Sequence, residues 1–219
     1  MNTKPMADFE QRLFLRLPPQ PDILDGLEAL LDNPRVACAH IVARPGAALP
    51  GADTLAAMVA RLQRSDIAVL LDNPDDVRQC KADGVHATLG GGGDLDSLTA
   101  AIKSLKPGHI VGVGGLYSHH AAMSAGETDV DYVMFGETGP GGKLPPFADV
   151  LEKAAWWSEV FTVPCIAHAA DLQTAELLAA SGCDFLSISI DPADFPSDSN
   201  GLKPAEAIAR AIQAVQVSA

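Results

Sequence analysis

The sequence is poor in aromatic residues, and this shortage limits what can form its core. Aromatic residues make up 5% of the 219 residues, whereas 47% are hydrophobic, so aliphatic side chains must supply most of the interior. Strands rich in Ala, Val, Ile and Leu are typical of a parallel sheet that is covered on both faces. The sequence is also too apolar, with 20% charged residues, for a disordered chain.

Positive charge is scarce as well. The chain has 15 Lys and Arg against 28 Asp and Glu, which gives a formal net charge of −13. Because binding to nucleic acid or to an anionic membrane surface needs clustered basic residues, we expect no nucleic-acid partner and no membrane partner. A small phosphorylated substrate is compatible with this charge, since its site needs only one or two cations, a metal ion or backbone N–H groups.

Long apolar runs and paired cysteines are absent too. No run of about 18 apolar residues occurs, and the first residues lack the apolar core of a signal peptide, so neither a membrane span nor a secretory signal is predicted. The four cysteines are scattered and form no C-x-x-C pair: Cys38, Cys80, Cys165 and Cys183. We expect them to be reduced, buried small hydrophobes, which favours a cytoplasmic location.

Short aliphatic runs alternate with helical patterns along the chain. The patterns predict strands at residues 12–17, 36–43, 67–71, 84–88, 109–113, 130–135, 163–167 and 184–190. They predict helices at residues 22–32, 53–64, 74–81, 94–105, 118–125, 146–160, 171–181 and 204–215. Alternating strands and helices imply a parallel sheet, and eight such units favour a single (β/α)8 TIM barrel with eight parallel strands.

The alternative architecture is an open, doubly wound sheet. Residues 18–21 read Pro-Pro-Gln-Pro, where that fold would carry a glycine-rich phosphate loop after its first strand. We therefore predict one barrel domain over residues 1–219, with the barrel core at about 12–191 and a closing helix at about 204–215. In such barrels function gathers in the loops that follow the strands. Those positions hold Asp72, His86, Thr138, His168 and Asp191.

Several segments of the chain share a pattern with one enzyme family. An aliphatic run ends in Asp-Asn at residues 72–73 and is followed by Asp-Gly-Val-His at 83–86. Residues 131–136 read Asp-Tyr-Val-Met-Phe-Gly and lead to Lys143, residues 163–167 read Val-Pro-Cys-Ile-Ala, and residues 181–184 read Ser-Gly-Cys-Asp. Over residues 12–191 this pattern resembles the thiamine-phosphate synthases, and the related thiazole tautomerases share most of it.

The resemblance implies a transferase of thiamine biosynthesis, which joins hydroxymethylpyrimidine diphosphate to a thiazole phosphate and releases pyrophosphate. The implied partners are small phosphorylated heterocycles, and the implied cofactor is Mg2+, which stabilises the departing pyrophosphate. Lys143 and His168 are expected to be catalytic, and Asp72 and Asp94 are expected to hold the metal ion. The expected substrate-binding residues are Arg44, Asn73, His86, Gly114, Gly136, Thr138 and Ser189.

Departures from the family pattern fall on its metal and phosphate sites. The family's Asn-Asp is reversed at residues 72–73, and its later acid aligns with Gly91. Of its Gln and basic residues on the second strand, Arg44 alone remains as a cation. Ala-Ala at 169–170 replaces Gly-Gly, and the added methyl groups obstruct close approach of the backbone to a phosphate. We therefore expect metal binding that is weak or rebuilt from Asp72 and Asp94, and synthase activity that is slow or absent.

Two other functions stay open. One is an isomerase that resembles the thiazole tautomerases and needs acid–base groups but no metal, supplied by Tyr117, His119, His120 or His168. The other is a non-catalytic paralogue that binds a phosphorylated ligand.

Structural roles also stay open for three residues. Lys143 can be a solvated loop residue, His86 a satisfied core histidine, and Asp72 the cap of the helix at Pro74. The oligomeric state is open as well. Trp156 and Trp157 lie about 100° apart on one helix, so one can be core and the other an interface anchor of a homodimer.

Overall fold

Eight parallel strands close into a barrel in sequence order, with the first strand paired to the eighth. The computed structural model describes residues 11–43, 49–90, 95–139 and 142–190. The strands are β1 (Arg12–Leu17), β2 (Val36–Ile41), β3 (Ala68–Leu71), β4 (Gly84–Thr88), β5 (Ile110–Gly114), β6 (Tyr132–Phe135), β7 (Cys165–Ala169) and β8 (Phe185–Ser189). The predicted (β/α)8 barrel is confirmed.

Helices cover the outside of the barrel between successive strands. They are α1 (Glu28–Leu31), α2 (Ala52–Gln63), α3 (Pro74–Cys80), α4 (Leu95–Leu105), α5 (His119–Gly126), α6 (Phe147–Val160) and α7 (Leu172–Leu178), with 3-10 helices at Pro21–Gly26 and Ala179–Ser181. The continuous helix predicted at 22–32 is wrong, because Leu27, with φ of −113°, separates a proline-initiated 3-10 helix from α1. The predicted closing helix at 204–215 lies outside the described residues.

The strands alternate between two apolar regions, as a two-residue period requires. On β1, Leu13, Leu15 and Leu17 pack outward against the helices, whereas Phe14 belongs to a separate cluster. That cluster fills the barrel interior and contains Phe14, Cys38, Leu70, Tyr132, Met134 and Ile166. Two residues further along β1, β2 and β7, the inward positions lie one layer nearer the carboxyl ends of the strands. These positions are polar and hold Arg16, His40 and His168.

A repeated aspartate holds the opposite end of the barrel. Asp83, Asp131 and Asp184 each precede an even-numbered strand. Their carboxylates accept the backbone N–H of Val69, Val111 and Cys165, near the starts of the odd-numbered strands, at 2.7, 2.7 and 2.8 Å. The aspartates in the family-like Asp-Gly-Val-His and Asp-Tyr segments are therefore structural residues that lie away from the mouth of the barrel.

The cysteines are buried and free, as predicted. Burial and the nearby Asp83 carboxylate raise the pKa of Cys38, and burial raises the pKa of Cys165 to about 12. Such thiols stay protonated and unreactive at neutral pH. Within the part of the chain that the structure describes, no helix is long and apolar enough to cross a membrane.

Candidate functional site

A layer of polar side chains fills the barrel interior near the carboxyl ends of the strands. It is built by Arg16 on β1, His40 on β2, His86 on β4, Glu137 after β6, His168 on β7 and Ser187 on β8. All of them are buried except Arg16, whose side chain is 14% exposed. Buried polar groups are costly unless they are paired, so their hydrogen bonds define what this layer can do.

One chain of contacts joins a phenol, a histidine, a carboxylate and a guanidinium. The Tyr132 hydroxyl lies 2.7 Å from His86 Nδ1, His86 Nε2 lies 3.2 Å from Glu137 Oε2, and Arg16 Nη2 lies 3.2 Å from Glu137 Oε1. An ionised carboxylate only accepts hydrogen bonds, so His86 donates from Nε2 to Glu137. The chain leaves no ring nitrogen of His86 free.

The same contacts fix the charge on Glu137. Burial raises the pKa of this carboxyl, but the neighbouring His86, its hydrogen bond and the Arg16 guanidinium lower it by more, so the net pKa lies well below the usual range. Burial also raises the pKa of the Tyr132 hydroxyl well above 10.0. At neutral pH the pair is therefore an ionised carboxylate next to a guanidinium, with a neutral phenol behind His86.

Two glycines make room for this network. A Cβ on Gly114 would overlap Glu137 Oε2 and lie 2.8 Å from His86 Nε2. Gly136 has a φ of +100°, a conformation that favours glycine, and a Cβ there would lie 2.5 Å from the His168 carbonyl oxygen. These close contacts explain why both positions require glycine. That Gly114 and Gly136 contact the substrate stays a prediction.

His40 and Asp72 form a second histidine–carboxylate pair. His40 Nε2 lies 2.7 Å from Asp72 Oδ1; His40 is fully buried, whereas the Asp72 side chain is 45% exposed. Burial lowers the pKa of His40 to about 4, although the bond to Asp72 acts in the opposite direction. Burial raises the pKa of Asp72, but its bond to His40 and the electrostatic effects of His40, His86 and Arg16 together lower it by more. His40 is thus a neutral ring at neutral pH.

His168 is held by two serines of β8. Its Nδ1 lies 3.0 Å from Ser187 Oγ, and its Nε2 lies 3.5 Å from Ser189 Oγ. Burial, together with the Arg16 charge, lowers the pKa of His168 to about 3. His168 is therefore neutral at neutral pH and can donate from one ring nitrogen and accept at the other.

The loop after β6 carries Thr138 and Lys143, and both are exposed. The Tyr117 hydroxyl donates to the Thr138 carbonyl at 3.1 Å, and the Gly139 N–H donates to the Lys143 carbonyl at 2.8 Å. The segment after Lys143 contributes Leu144 and Pro145 to a cavity of about 40 Å³ that His168 and Ala170 also line. The loop thus lies beside the polar layer.

The structure brings several predicted residues together and separates others. Asp72, His86, His168 and Ser189 join the polar layer through the contacts above. Asn73 instead caps α3, since its side chain accepts the Asp75 N–H at 2.8 Å, so the cap is not Asp72. The predicted residues that lie outside the described part of the chain are Arg44, Asp94 and Asp191.

Sequence reasoning missed three residues of the polar layer and one phenol. Arg16, His40 and Glu137 were not among the predicted site residues, nor was Tyr132. A charged residue within the apolar strand at 12–17, in phase with Phe14, was the available signal for Arg16. Nothing in the sequence indicated that Arg16 would meet Glu137, because this contact depends on closure of the barrel.

The sequence of the chain is similar to that of one known enzyme family. A family model described as thiamine monophosphate synthase matches residues 24–190. A thiamine-phosphate synthase of Rhodospirillum centenum is 36% identical over 186 residues, which cover 81% of this chain and 86% of that protein. The chain belongs to the thiamine monophosphate synthase family. The predicted family membership is confirmed.

Further matches agree with this family. A thiamine-phosphate synthase of Hyphomonas neptunium is 35% identical over 140 residues, covering 61% of this chain and 60% of that protein. The solved structure of a thiamine phosphate pyrophosphorylase from Pyrococcus furiosus has a TM-score of 0.63 and 16% identity, and covers 95% of this chain and 99% of that chain. At that identity the structural match supports the fold alone.

For a thiamine monophosphate synthase, the resemblance implies Mg2+. Among residues 11–43, 49–90, 95–139 and 142–190, no group of three His, Cys, Asp or Glu side chains converges to hold a metal ion. Asp72 offers a carboxylate, but its Oδ1 already accepts the His40 N–H. The described residues do not fit a metal ion by themselves, and magnesium binding stays a prediction.

Proposed function

We propose that this protein forms thiamine phosphate from hydroxymethylpyrimidine diphosphate and a thiazole phosphate, at a rate well below that of ordinary synthases. The observation that carries the proposal is the 36% identity to a thiamine-phosphate synthase over 81% of this chain. The slow rate has a separate basis, which is the Arg16–Glu137 ion pair and the Asp171 cap of α7.

The proposed reaction makes limited demands on the protein. The bond between the pyrimidine's exocyclic carbon and the diphosphate oxygen breaks, and pyrophosphate leaves with the electron pair. The thiazole nitrogen then donates its lone pair to that carbon, which forms the new C–N bond. The protein has to orient the two rings and stabilise the negative charge that develops on the leaving group.

Arg16 is poorly placed to stabilise pyrophosphate. Its guanidinium is already paired with Glu137 at 3.2 Å, so the two charges largely cancel at the mouth. Lys143 is exposed in the loop after β6 and is the cation to which we assign the pyrophosphate. A single exposed ammonium gives less stabilisation than a metal ion with several cations, and this supports slow turnover.

The start of α7 is equally unfavourable for a phosphate. Asp171 caps this helix, and its Oδ1 accepts the Thr174 N–H at 2.7 Å. The carboxylate therefore occupies part of the space that an anion would use and repels it electrostatically. The preceding Ala170 carries the methyl group that the family pattern lacks. Both features support weak binding of the thiazole phosphate.

The test is product formation against Mg2+ concentration, with the Rhodospirillum centenum relative assayed in parallel. We expect thiamine phosphate at a rate roughly a thousandfold lower than that of the relative, because loss of metal stabilisation costs several kcal/mol. Lys143→Ala should slow it further, whereas Lys103→Ala, at an exposed position in the last turn of α4, should not. Turnover at the relative's rate with saturable Mg2+ dependence contradicts the slow rate, and no product at any Mg2+ concentration contradicts the synthase.

A metal-independent isomerase is the second candidate, favoured by the buried His168, a neutral ring that two serine hydroxyls hold within the polar layer. His119 is an unsuitable acid–base group, since it contacts Glu152 at 3.1 Å and Trp156 on the outer helix α6. His168 lies inside the layer and is the better candidate. The test offers a phosphorylated, non-aromatic thiazole tautomer in the presence of a chelator and follows aromatisation by ultraviolet absorbance. Absence of conversion, or full conversion by His168→Gln, rejects this role for His168.

A further inference from the structure

The loop between β6 and α6 carries Lys143, and both ends of this loop are held by the fold. At its start, the Glu137 side chain is buried in the polar layer. At its end, Pro146 is the N-cap of α6. These anchors fix where the loop begins and ends, whereas the place of Lys143 depends on what holds the residues between them.

Backbone hydrogen bonds connect Lys143 to the first part of the loop. The Gly139 N–H donates to the Lys143 carbonyl at 2.8 Å, and the Gly142 N–H donates to the Gly139 carbonyl at 3.0 Å. The backbone of Lys143 is therefore tied to that of Gly139. A contact that fixes Gly139 also fixes the backbone that carries the Lys143 side chain.

Tyr117, which follows β5, makes such a contact. Its hydroxyl donates to the Thr138 carbonyl at 3.1 Å. Its ring lies against Gly139, since a Cβ on that glycine would lie 3.4 Å from Cε1 and 3.6 Å from Cζ of the ring. One side chain from the neighbouring βα unit thus holds two consecutive loop residues, by a hydrogen bond and by packing.

The Tyr117 hydroxyl keeps the proton that it donates. Burial and the Glu137 carboxylate both raise the pKa of Tyr117 above its usual value of 10.0. A backbone carbonyl oxygen can only accept, so the phenol is the donor in this contact. The hydrogen bond is therefore intact at neutral pH.

We propose that Tyr117 is a positioning residue, which sets the affinity of Lys143 for a diphosphate group by holding the loop after β6 in one conformation. Lys143 is exposed, and ordering a lysine and its loop upon binding costs free energy. The contact with Tyr117 orders the loop backbone before the anion arrives. This inference rests on the proposed function, in which Lys143 binds the pyrophosphate group.

Limited proteolysis measures the effect of Tyr117 on the loop without any ligand. Trypsin cleaves after Lys143 when the loop opens locally, and Tyr117→Phe keeps the ring but removes the hydroxyl. We expect cleavage after Lys143 to become about two- to tenfold faster, the range for loss of one neutral hydrogen bond. Cleavage after Lys103, exposed in the last turn of α4, should keep its rate.

Calorimetry with inorganic pyrophosphate as the probe measures what this contact does for Lys143. Tyr117→Phe should weaken binding by about two- to tenfold, because the loop is then ordered at the expense of binding. In a Lys143→Ala background, Tyr117→Phe should cause no further loss, since the ammonium group that it positions is absent. A merely structural role of Tyr117 predicts the same loss in both backgrounds.

Thr128→Val is the matched control. The Thr128 hydroxyl also donates to a backbone carbonyl, that of Ala125, at 2.6 Å. Thr128 lies between α5 and β6, at the opposite end of the barrel from the loop after β6. This variant should leave both the rate of cleavage after Lys143 and the affinity for pyrophosphate unchanged.

Four results overturn the positioning role: no pyrophosphate binding by the unmodified protein, unchanged cleavage after Lys143 in Tyr117→Phe, unchanged pyrophosphate affinity in Tyr117→Phe, or an equal loss of affinity with and without Lys143. The positioning role and the proposed function fail separately. Faster cleavage and a loss of affinity that depends on Lys143, without thiamine phosphate formation, reject the synthase and keep the positioning role. Thiamine phosphate formation with unchanged cleavage in Tyr117→Phe keeps the synthase and rejects the positioning role.

Discussion

Substitution of Glu137 by Gln is the sharpest test of the polar layer. The side chain keeps its volume, so no cavity forms, but the carboxylate charge that faces Arg16 and His86 is lost. Glu137 is 3% exposed, so water cannot replace the missing charge. Arg16 is then left as a largely buried cation without a counter-charge, and we expect Glu137→Gln to destabilise the fold.

The magnitude follows from the burial of the two partners. Breaking a buried ion pair by removing one partner costs about 3–5 kcal/mol. Because the Arg16 side chain is 14% exposed, the lower end applies, about 3 kcal/mol. For a chain of this size, that corresponds to a fall in melting temperature of about 6–12 °C.

Urea unfolding followed by circular dichroism measures this loss. Glu152→Gln is the matched control, because Glu152 is 57% exposed in its pair with His119 and should change stability by less than about 0.5 kcal/mol. A double variant with Arg16→Met and Glu137→Met should recover much of the loss, since no unpaired charge remains. A loss below about 1 kcal/mol for Glu137→Gln would refute the reasoning that this pair neutralises a buried charge.

Three further predictions concern the same region. Gly114→Ala should lower the free energy of unfolding by about 1–3 kcal/mol in urea, because the added Cβ overpacks the site. Gly108→Ala is the control and should not lower it, since the nearest atom to its added Cβ would lie at 3.9 Å. Equal stability of the two variants contradicts the crowding at Gly114. The pKa of His168 falls to about 3 and that of His40 to about 4, both from 6.5, so the unfolded chain binds more protons below pH 6.5. Stability should therefore be full above about pH 6.5 and fall by up to about 3 kcal/mol per pH unit towards pH 4, and a flat urea-midpoint profile contradicts this. Lys143→Ala should weaken pyrophosphate binding by about 1.5–3 kcal/mol in calorimetry, and unchanged affinity makes Lys143 a solvated loop residue.

The sequence predicted the barrel because its information on strands and helices is local. Alternation of aliphatic runs with helical patterns located all eight described strands to within two residues at each end. Two helices were less accurate. At 22–32 a 3-10 helix and a short α-helix replaced the predicted helix, and the helix predicted at 171–181 ends at Leu178, with a 3-10 helix after it. At 22–32, Leu24, Leu27, Leu30 and Leu31 lie at helical spacing and all four are buried, but this spacing does not indicate the backbone break at Leu27.

The sequence also placed part of the candidate site. His86 and His168 were singled out by position on their strands, and both lie in the polar layer. Asn73 was expected to bind substrate, but its side chain accepts the N–H of residue 75, as expected for a polar residue before Pro74 at a helix start. That short-range bond was readable from the sequence, whereas the partners of the buried histidines were not.

The sequence by itself determined the alternation of strands and helices, and with it the barrel, because this pattern arises from neighbours along the chain. Its motifs also indicated the family. Only the tertiary structure decided that Arg16 pairs with Glu137 and that His86 lies between Glu137 and Tyr132. It also left Nδ1 of His40 without a partner. Such contacts cross the barrel interior, so they depend on strand register and on closure of β1 against β8, which bring together residues that are far apart in sequence.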